Sequence, residues 1–229
     1  MKRYLTLLFC LMCFVSYAQK INYINWKTEA SNDIRLQPEY GHAVKTKEQI
    51  AADDELIATV LKQDRTRRKG SDHLINLEFK YLYNSDMRTA MSRFNQAYLL
   101  DPKNENVYWG YGAVYVMFGD KEEAIRQYDK GLSINPNSAV ILTDKATIYF
   151  AEFQQEQGKF PEKLEKALTL LNASYKVDPK NLNTLYKLSI CYFLIQDCAN
   201  AWKYYKDCQA LGGTPISPDF TTALKRQCK

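Results

Sequence analysis

Apolar and small residues recur along residues 71–215 at an interval longer than any single helix or strand would set. The line AIRQYDKGLSINP at 124–136 has an imperfect double thirty-four places upstream, AMSRFNQAYLLDP at 90–102. Extended in both directions, with units opening at Ser71, Glu105, Ala139 and Leu182, the register persists. Its eighth place holds Glu78, Gly112, Ala146 and Ser189, and its eleventh holds Tyr81, Tyr115, Tyr149 and Tyr192. A later alanine falls at Ala90, Ala124, Ala167 and Ala201, followed four residues on by Phe94, Tyr128, Leu171 and Tyr205. Each unit closes on proline: Pro102, Pro136, Pro179 and, two places late, Pro215. A period of this length predicts stacked supersecondary units, each unable to bury its apolar side alone.

These residues resemble the tetratricopeptide repeat, whose unit is thirty-four residues of antiparallel helix pair. The resemblance covers 71–215 and implies an all-α fold, a right-handed superhelical solenoid of four repeats at 71–104, 105–138, 139–181 and 182–215. Small residues at the eighth place and the later alanine let two helices approach closely. The tyrosines then fill the gaps between units, and proline pre-sets the turn into the next helix. DPKN at Asp101 and Asp178 and NPNS at Asn135 read as turn followed by helix start. Two places depart from the pattern. Glu78 stands where a small residue belongs, so the first unit is expected to pack loosely or to pair that carboxylate. The third unit carries nine extra residues around FQQEQGKFPEKLEK, read as two lengthened helices about a turn at Gly158 to Pro161.

Stacked units leave an apolar face open at each end, and both flanks read as caps. Thr46 to Arg68, within a segment 46–70, is expected to be a helix with Ile50, Ile57, Val60 and Leu61 on one side. At the other end, 216–229 reads as a helix capped by Ser217, with Pro218 in its first turn and Phe220, Ala223, Leu224 and Cys228 on one side. Residues 19–45 show no helical period and read as an irregular arm that either stays mobile or docks through Tyr23, Ile24, Trp26, Ile34, Leu36 or Tyr40. Residues 1–18 have the parts of an export signal: Lys2 and Arg3, an apolar stretch from Tyr4 to Val15, and Ser16-Tyr17-Ala18 before Gln19. The chain is therefore expected to be exported, periplasmic or secreted, with no transmembrane segment after cleavage.

Charge changes this picture little. The chain carries 31 basic and 26 acidic residues, a net of +5. Without Lys2 and Arg3 it stands at 29 against 26, or +3, which is no nucleic-acid signature. The densest basic run, KQDRTRRKG at 62–70, reads as a solvated helix end with cations at its C-terminus. Of the six cysteines, Cys191, Cys198, Cys208 and Cys228 lie beyond the leader, in no zinc spacing and without a nearby histidine. If the last helix lies where a further unit's first helix would, Cys228 comes near the turn holding Cys198. A disulfide between those two is expected in an exported chain, with Cys191 and Cys208 left as buried thiols. Spacing alone does not establish that connectivity.

No catalytic constellation is legible. His42 and His73 stand in no metal spacing, and neither a phosphate loop, an HExxH nor a nucleophile elbow occurs. No metal, cofactor or small-molecule substrate is implied, and an enzyme is not expected. The resemblance implies instead that the first helices line a concave wall at their second, fifth, ninth, twelfth and thirteenth places. Those places give a candidate partner-binding groove of Ile75, Phe79, Tyr83, Trp109, Val116, Met117, Thr143, Thr147, Phe150, Tyr186, Ile190 and Phe193. Leu82, Ala113 and Leu194 are expected to pack against neighbouring helices. Such a wall is apolar and aromatic, unlike the lysine and asparagine clamps by which some relatives hold a terminal carboxylate. Two occupants follow: a peptide or helix of another protein, anchored by Trp and Tyr, or the chain's own arm with Trp26 in the groove, as part of an envelope assembly.

Overall fold

A computed structural model describes residues 22–156 and 158–228, the side chain of Glu78 excepted. The expectations for the leader and for the Glu78 carboxylate fall outside what is described. Four helix pairs follow one another along the chain. They are α3 (Arg67–Tyr83) with α4 (Met87–Leu100), α5 (Glu105–Phe118) with α6 (Lys121–Ile134), α7 (Ala139–Gln155) with α8 (Pro161–Val177), and α9 (Leu182–Leu194) with α10 (Cys198–Ala210). Before them come α1 (Tyr23–Ala30), two 3₁₀ turns at Ile34–Leu36 and Pro38–His42, and α2 (Lys47–Asp64); after them comes α11 (Pro218–Gln227). Each pair packs on itself and on its neighbours in order, which makes a helical solenoid.

Local chemistry sets the ends of these helices. Asp86, Asp120 and Asp197 stand at one place in their units and accept from the backbone N–H groups of Thr89, Glu123 and Asn200. The aspartates thereby satisfy donors that a helix start leaves open. Just before them, the turn within the pair needs one left-handed residue, supplied by Gly119 (φ +79), Ser85 (φ +62) and Gln196 (φ +62). Only the glycine takes that conformation without strain. In the third unit the added residues lengthen α7 and α8 to 17 each, against 14 for α5 and α6. Gly158 (φ +77) turns the chain between them.

Close approach within pairs depends on the small residues of the repeat. A Cβ placed on Gly112 would collide with the ring of Tyr128, and one on Gly110 would lie 2.5 Å from that of Phe94. Ala90, Ala124, Ala167 and Ala201 are fully buried, and Ser189 turns its hydroxyl onto the carbonyl of Ala201 at 2.8 Å. Phe94, Tyr111, Tyr128, Leu171 and Leu188 fill the space between helices. Burial of each such side chain is worth roughly 1.5–3 kcal/mol.

Three expectations need correction. The helix over Thr46 to Arg68 stops at Asp64; Arg65 turns left-handed (φ +61) and Thr66 caps α3, which starts at Arg67. The basic run therefore straddles a break between two helices, and Arg68 bonds with Asp72 and Glu105. The tyrosine register is not uniformly filled: Tyr115 is buried, Tyr149 and Tyr192 are half-buried, and Tyr81 is exposed. Helix α2 explains Tyr81, because it meets α3 near Gly70, where Val60 packs, and buries none of its own residues. Finally, the arm is ordered, with α1 inside it.

Candidate functional site

The first helices α3, α5, α7 and α9 form one wall of the solenoid, and aromatic rings meet across it. Phe79 lies 4.1 Å from the ring of Trp109, 6.1 Å from Tyr83 and 5.5 Å from Phe94. Phe94 anchors this group in the core; Tyr83, 76% exposed, carries it to the surface. Val116 and Met117 on α5 are exposed, and Phe79, Trp109, Phe150 and Ile190 are half-buried. Aromatic pairs of this kind add about 0.5–1.5 kcal/mol beyond the area they bury.

The wall is not wholly apolar. Nε1 of Trp109 donates to Oδ2 of Asp144 on α7 at 2.6 Å. Burial pushes the Asp144 carboxyl above the usual carboxylate range, against the pull of that hydrogen bond and of Lys187. Lys187, on α9, is the mirror case: burial lowers its ammonium below the usual lysine value, and Asp144 opposes the shift. Both residues take the sixth place of their units, which the inner places named from the sequence omit. On α9 the available signal was Lys187, a single charge in an otherwise uncharged helix; on α7 Asp144 is accompanied by Lys145 and Glu152 and gave no such signal.

Several predicted groove residues belong to the core. Ile75 and Thr143 are each 2% exposed. The hydroxyl of Thr143 bonds those of Ser174 and Thr184 at 2.8 and 2.6 Å, tying α7 to α8 and α9. Thr147 turns its hydroxyl back onto the Thr143 carbonyl. Tyr186 and Phe193 are covered by Phe220 of α11, each with ring centroids 5.6 Å away, and Tyr186 also bonds Ser217. Leu82 is buried as expected, but Leu194 is exposed. The open wall is thus Tyr83, Phe79, Trp109, Val116, Met117 and Phe150, with Asp144 bonded to Trp109.

The arm does not occupy this wall. Trp26 and Tyr23 pack on Phe118, and the Tyr23 hydroxyl donates to Asp120 in the turn between α5 and α6. Glu29 pairs with Arg88 of α4, and buried Glu39 is held by Lys130 of α6 at 2.7 Å and by His42 at 3.0 Å. Asn95 on α4 is the centre of this docking. Its amide donates to the carbonyls of Arg35 and Gln37, and its oxygen accepts from Tyr111 Oη and the Tyr40 amide. Residues 39–42 are all left-handed, with φ between +53 and +61, although only Gly41 is suited to it. Among the described residues, none of the arm's hydrogen bonds or ring contacts reaches the inner wall. The arm lies on α4, α6 and the C-terminal end of α5, so the reading that it fills the groove is corrected.

Cys198 and Cys228 are bonded, with Cα atoms 5.2 Å apart, and Cys191 and Cys208 are buried thiols. The bond fixes α11 on α10, where Leu224 is fully buried and Trp202 Nε1 donates to the Cys228 carbonyl at 2.7 Å. Among the described residues no group of His, Cys, Asp and Glu is arranged to hold a metal ion, and no helix is long and apolar enough to cross a membrane.

Comparison with known proteins agrees with this geometry. Residues 81–148 match the family model described as tetratricopeptide repeat. Anaphase-promoting complex subunit 3 of Schizosaccharomyces pombe is 25% identical over 129 residues, 56% of this chain, which spans 17% of that relative's length. Among solved structures, pilF of Pseudomonas aeruginosa superposes with a TM-score of 0.53 at 18% identity, over 63% of this chain and 62% of that one. A thermophilic TPR protein of Thermus thermophilus gives 0.52 at 19%, over 62% and 74%. These likenesses show the fold, a helical-repeat solenoid of the tetratricopeptide type, which generally serves protein–protein interaction.

Proposed function

We propose that this chain is a non-catalytic interaction module that holds a peptide or helix of a partner protein against its inner wall, and that it works after export. One observation carries the reading: Tyr83, Phe79 and Trp109 meet ring to ring across α3 and α5, and Val116 and Met117 are exposed on the same helix as Trp109. An exposed patch of that kind is characteristic of an interaction site. The arm, docked on α4, α6 and the end of α5 at Phe118, makes no ring contact with Tyr83, Phe79 or Trp109 among the described residues. Trp and Tyr are the side chains that most often anchor partners, because they bury much area at little conformational cost. The Cys198–Cys228 bond is consistent with an oxidising compartment.

Crosslinking in native envelopes, followed by identification of captured proteins, tests this. Tyr83→Ser and Met117→Ser remove exposed wall without touching the core, and Trp109→Ala removes its centre. Capture is expected to fall in all three while helix content stays constant. Undiminished capture by all three would exclude the inner wall as the binding surface.

A further inference from the structure

Packing of the arm on α4 leaves a cleft of about 560 Å³ between them, and none of the inner-wall residues lines it. The stretch from Thr28 to Leu36 supplies one side and α4 the other. On α4, Arg88 and Ser92 stand four residues apart, as do Thr89 and Arg93, so the four share one face. Three guanidiniums line the cleft, and two of them are engaged. Arg88 gives Nε and Nη2 to Glu29, and Arg35 gives the same atoms to Asp33. Each pairing holds its carboxyl below the ordinary carboxylate range, so both carboxylates stay charged near neutral pH. Arg93 differs. Its one hydrogen bond among the described residues runs from Nη1 to Gln96 at 2.9 Å, and no carboxylate among them lies within ion-pair distance. The Nε–Nη2 edge of Arg93, a side of the fork that can grip two oxygens at once, is unspent. With three guanidiniums against two carboxylates, the lining holds one positive charge in excess. Its neutral groups are unspent as well: among the described residues the hydroxyls of Thr89 and Ser92 and Oδ1 of Asn32 make no hydrogen bond. Leu36 is the one aliphatic side chain of the lining.

We infer that this cleft binds a small hydroxylated monocarboxylate of the sugar-acid class, its carboxylate on the Nε–Nη2 edge of Arg93 and its hydroxyls on Thr89, Ser92 and Asn32. Charge selects the single carboxylate. One such group neutralises the excess, whereas the second charge of a phosphate ester would face Glu29 and Asp33 with no cation left for it. Polarity selects the hydroxylated body, because an apolar one would cover these hydroxyls and this amide without giving them partners. The volume falls within the range of small-ligand sites, about 300–1,000 Å³. Since the arm supplies Asn32 and α4 supplies Arg93, a bound ligand also fastens the arm to the repeats.

D-glucuronate and D-gluconate, a ring and an open chain, are titrated into the full chain by calorimetry beside D-glucose, acetate and D-glucose 6-phosphate. At least one of the two sugar acids is expected to bind, and the other three compounds to bind roughly tenfold more weakly or worse. Arg93→Gln is expected to weaken the sugar acid by a similar factor with helix content unchanged. Arg93→Lys should recover only part of that loss, since an ammonium keeps the charge and not the fork. Ser92→Ala, a milder change on the same face, should weaken the sugar acid and leave acetate as it was. The bound acid is also expected to slow proteolysis of the arm. Failure of both sugar acids to bind would overturn the assignment, as would binding that ignores Arg93→Gln and Ser92→Ala alike. Glucose bound as tightly, or glucose 6-phosphate bound more tightly, would overturn it too, because the charge match would then decide nothing.

Discussion

The indole of Trp109 and the carboxylate of Asp144 join α5 to α7 within the inner wall, Nε1 donating to Oδ2 over 2.6 Å. Asp144→Ala leaves that N–H without an acceptor and is expected to cost roughly 1–3 kcal/mol in urea denaturation. Asp144→Asn keeps an acceptor and removes a carboxylate whose charged form burial disfavours. Its loss should stay within about 1 kcal/mol. The pH dependence has a definite sign. A carboxyl raised by folding binds its proton more tightly in the native state, so its contribution is full below the ordinary carboxylate range and is lost as pH rises through the raised one. The wild type should therefore lose ground to Asp144→Asn with rising pH.

Docking of the arm depends on Asn95, which is fully buried and makes four hydrogen bonds with Arg35, Gln37, Tyr40 and Tyr111. Asn95→Leu leaves two backbone carbonyls and a tyrosine hydroxyl to find new partners. A loss of about 2–4 kcal/mol is expected, with much of it local to the arm. Limited proteolysis should then cut before α2 faster than in the wild type, while the repeats stay resistant. Equal cutting rates in the two proteins would show that the node does not hold the arm.

Within the second repeat, Gly112 faces the ring of Tyr128 so closely that any Cβ collides with it. Alanine gains up to about 1 kcal/mol in helix propensity, but overpacking costs typically 1–3 kcal/mol. Gly112→Ala should therefore be destabilising on balance, by chemical denaturation. Gly112→Ala combined with Tyr128→Leu should recover part of the loss, because the clash is with that ring.

The repeats were legible because one physical demand recurs in each unit. A small residue must face a large one, so Gly112 meets Tyr128 in the second repeat, and Ala146 and Leu171 share the core of the third despite its nine added residues. The arm was not legible for the opposite reason. Helix α1 is short, and the arm's partners Phe118, Arg88 and Asn95 are fixed by a tertiary surface that no local period encodes. The left-handed run at 39–42 had only Gly41 as a local signal, and the break after α2 falls at Arg65, a residue that normally continues a helix. At the inner wall, ring positions such as Phe79 and Trp109 were readable from repeat register. The coverage of Tyr186 and Phe193 by α11 was not, since it depends on the angle at which a non-repeat helix docks.

That last helix supplies the fourth prediction. The Cys198–Cys228 bond closes a segment of sequence separation 30, and loop entropy alone gives about 3–4 kcal/mol for a closure of that size. Reduction is therefore expected to lower the denaturation midpoint of the wild type and to leave a Cys198→Ser/Cys228→Ser variant unchanged. Because α11 is a terminal helix, the loss should begin locally, with amide exchange rising first in Pro218–Gln227. Thiol chemistry separates this from global unfolding. Cys191 and Cys208 are buried, and burial pushes the Cys191 thiol up to about 12, so neither should react quickly with iodoacetamide while the repeats are folded. Cys198 and Cys228 should be alkylated early after reduction, with the buried pair lagging. Simultaneous labelling of all four would mean that the bond holds the whole solenoid together rather than its final cap.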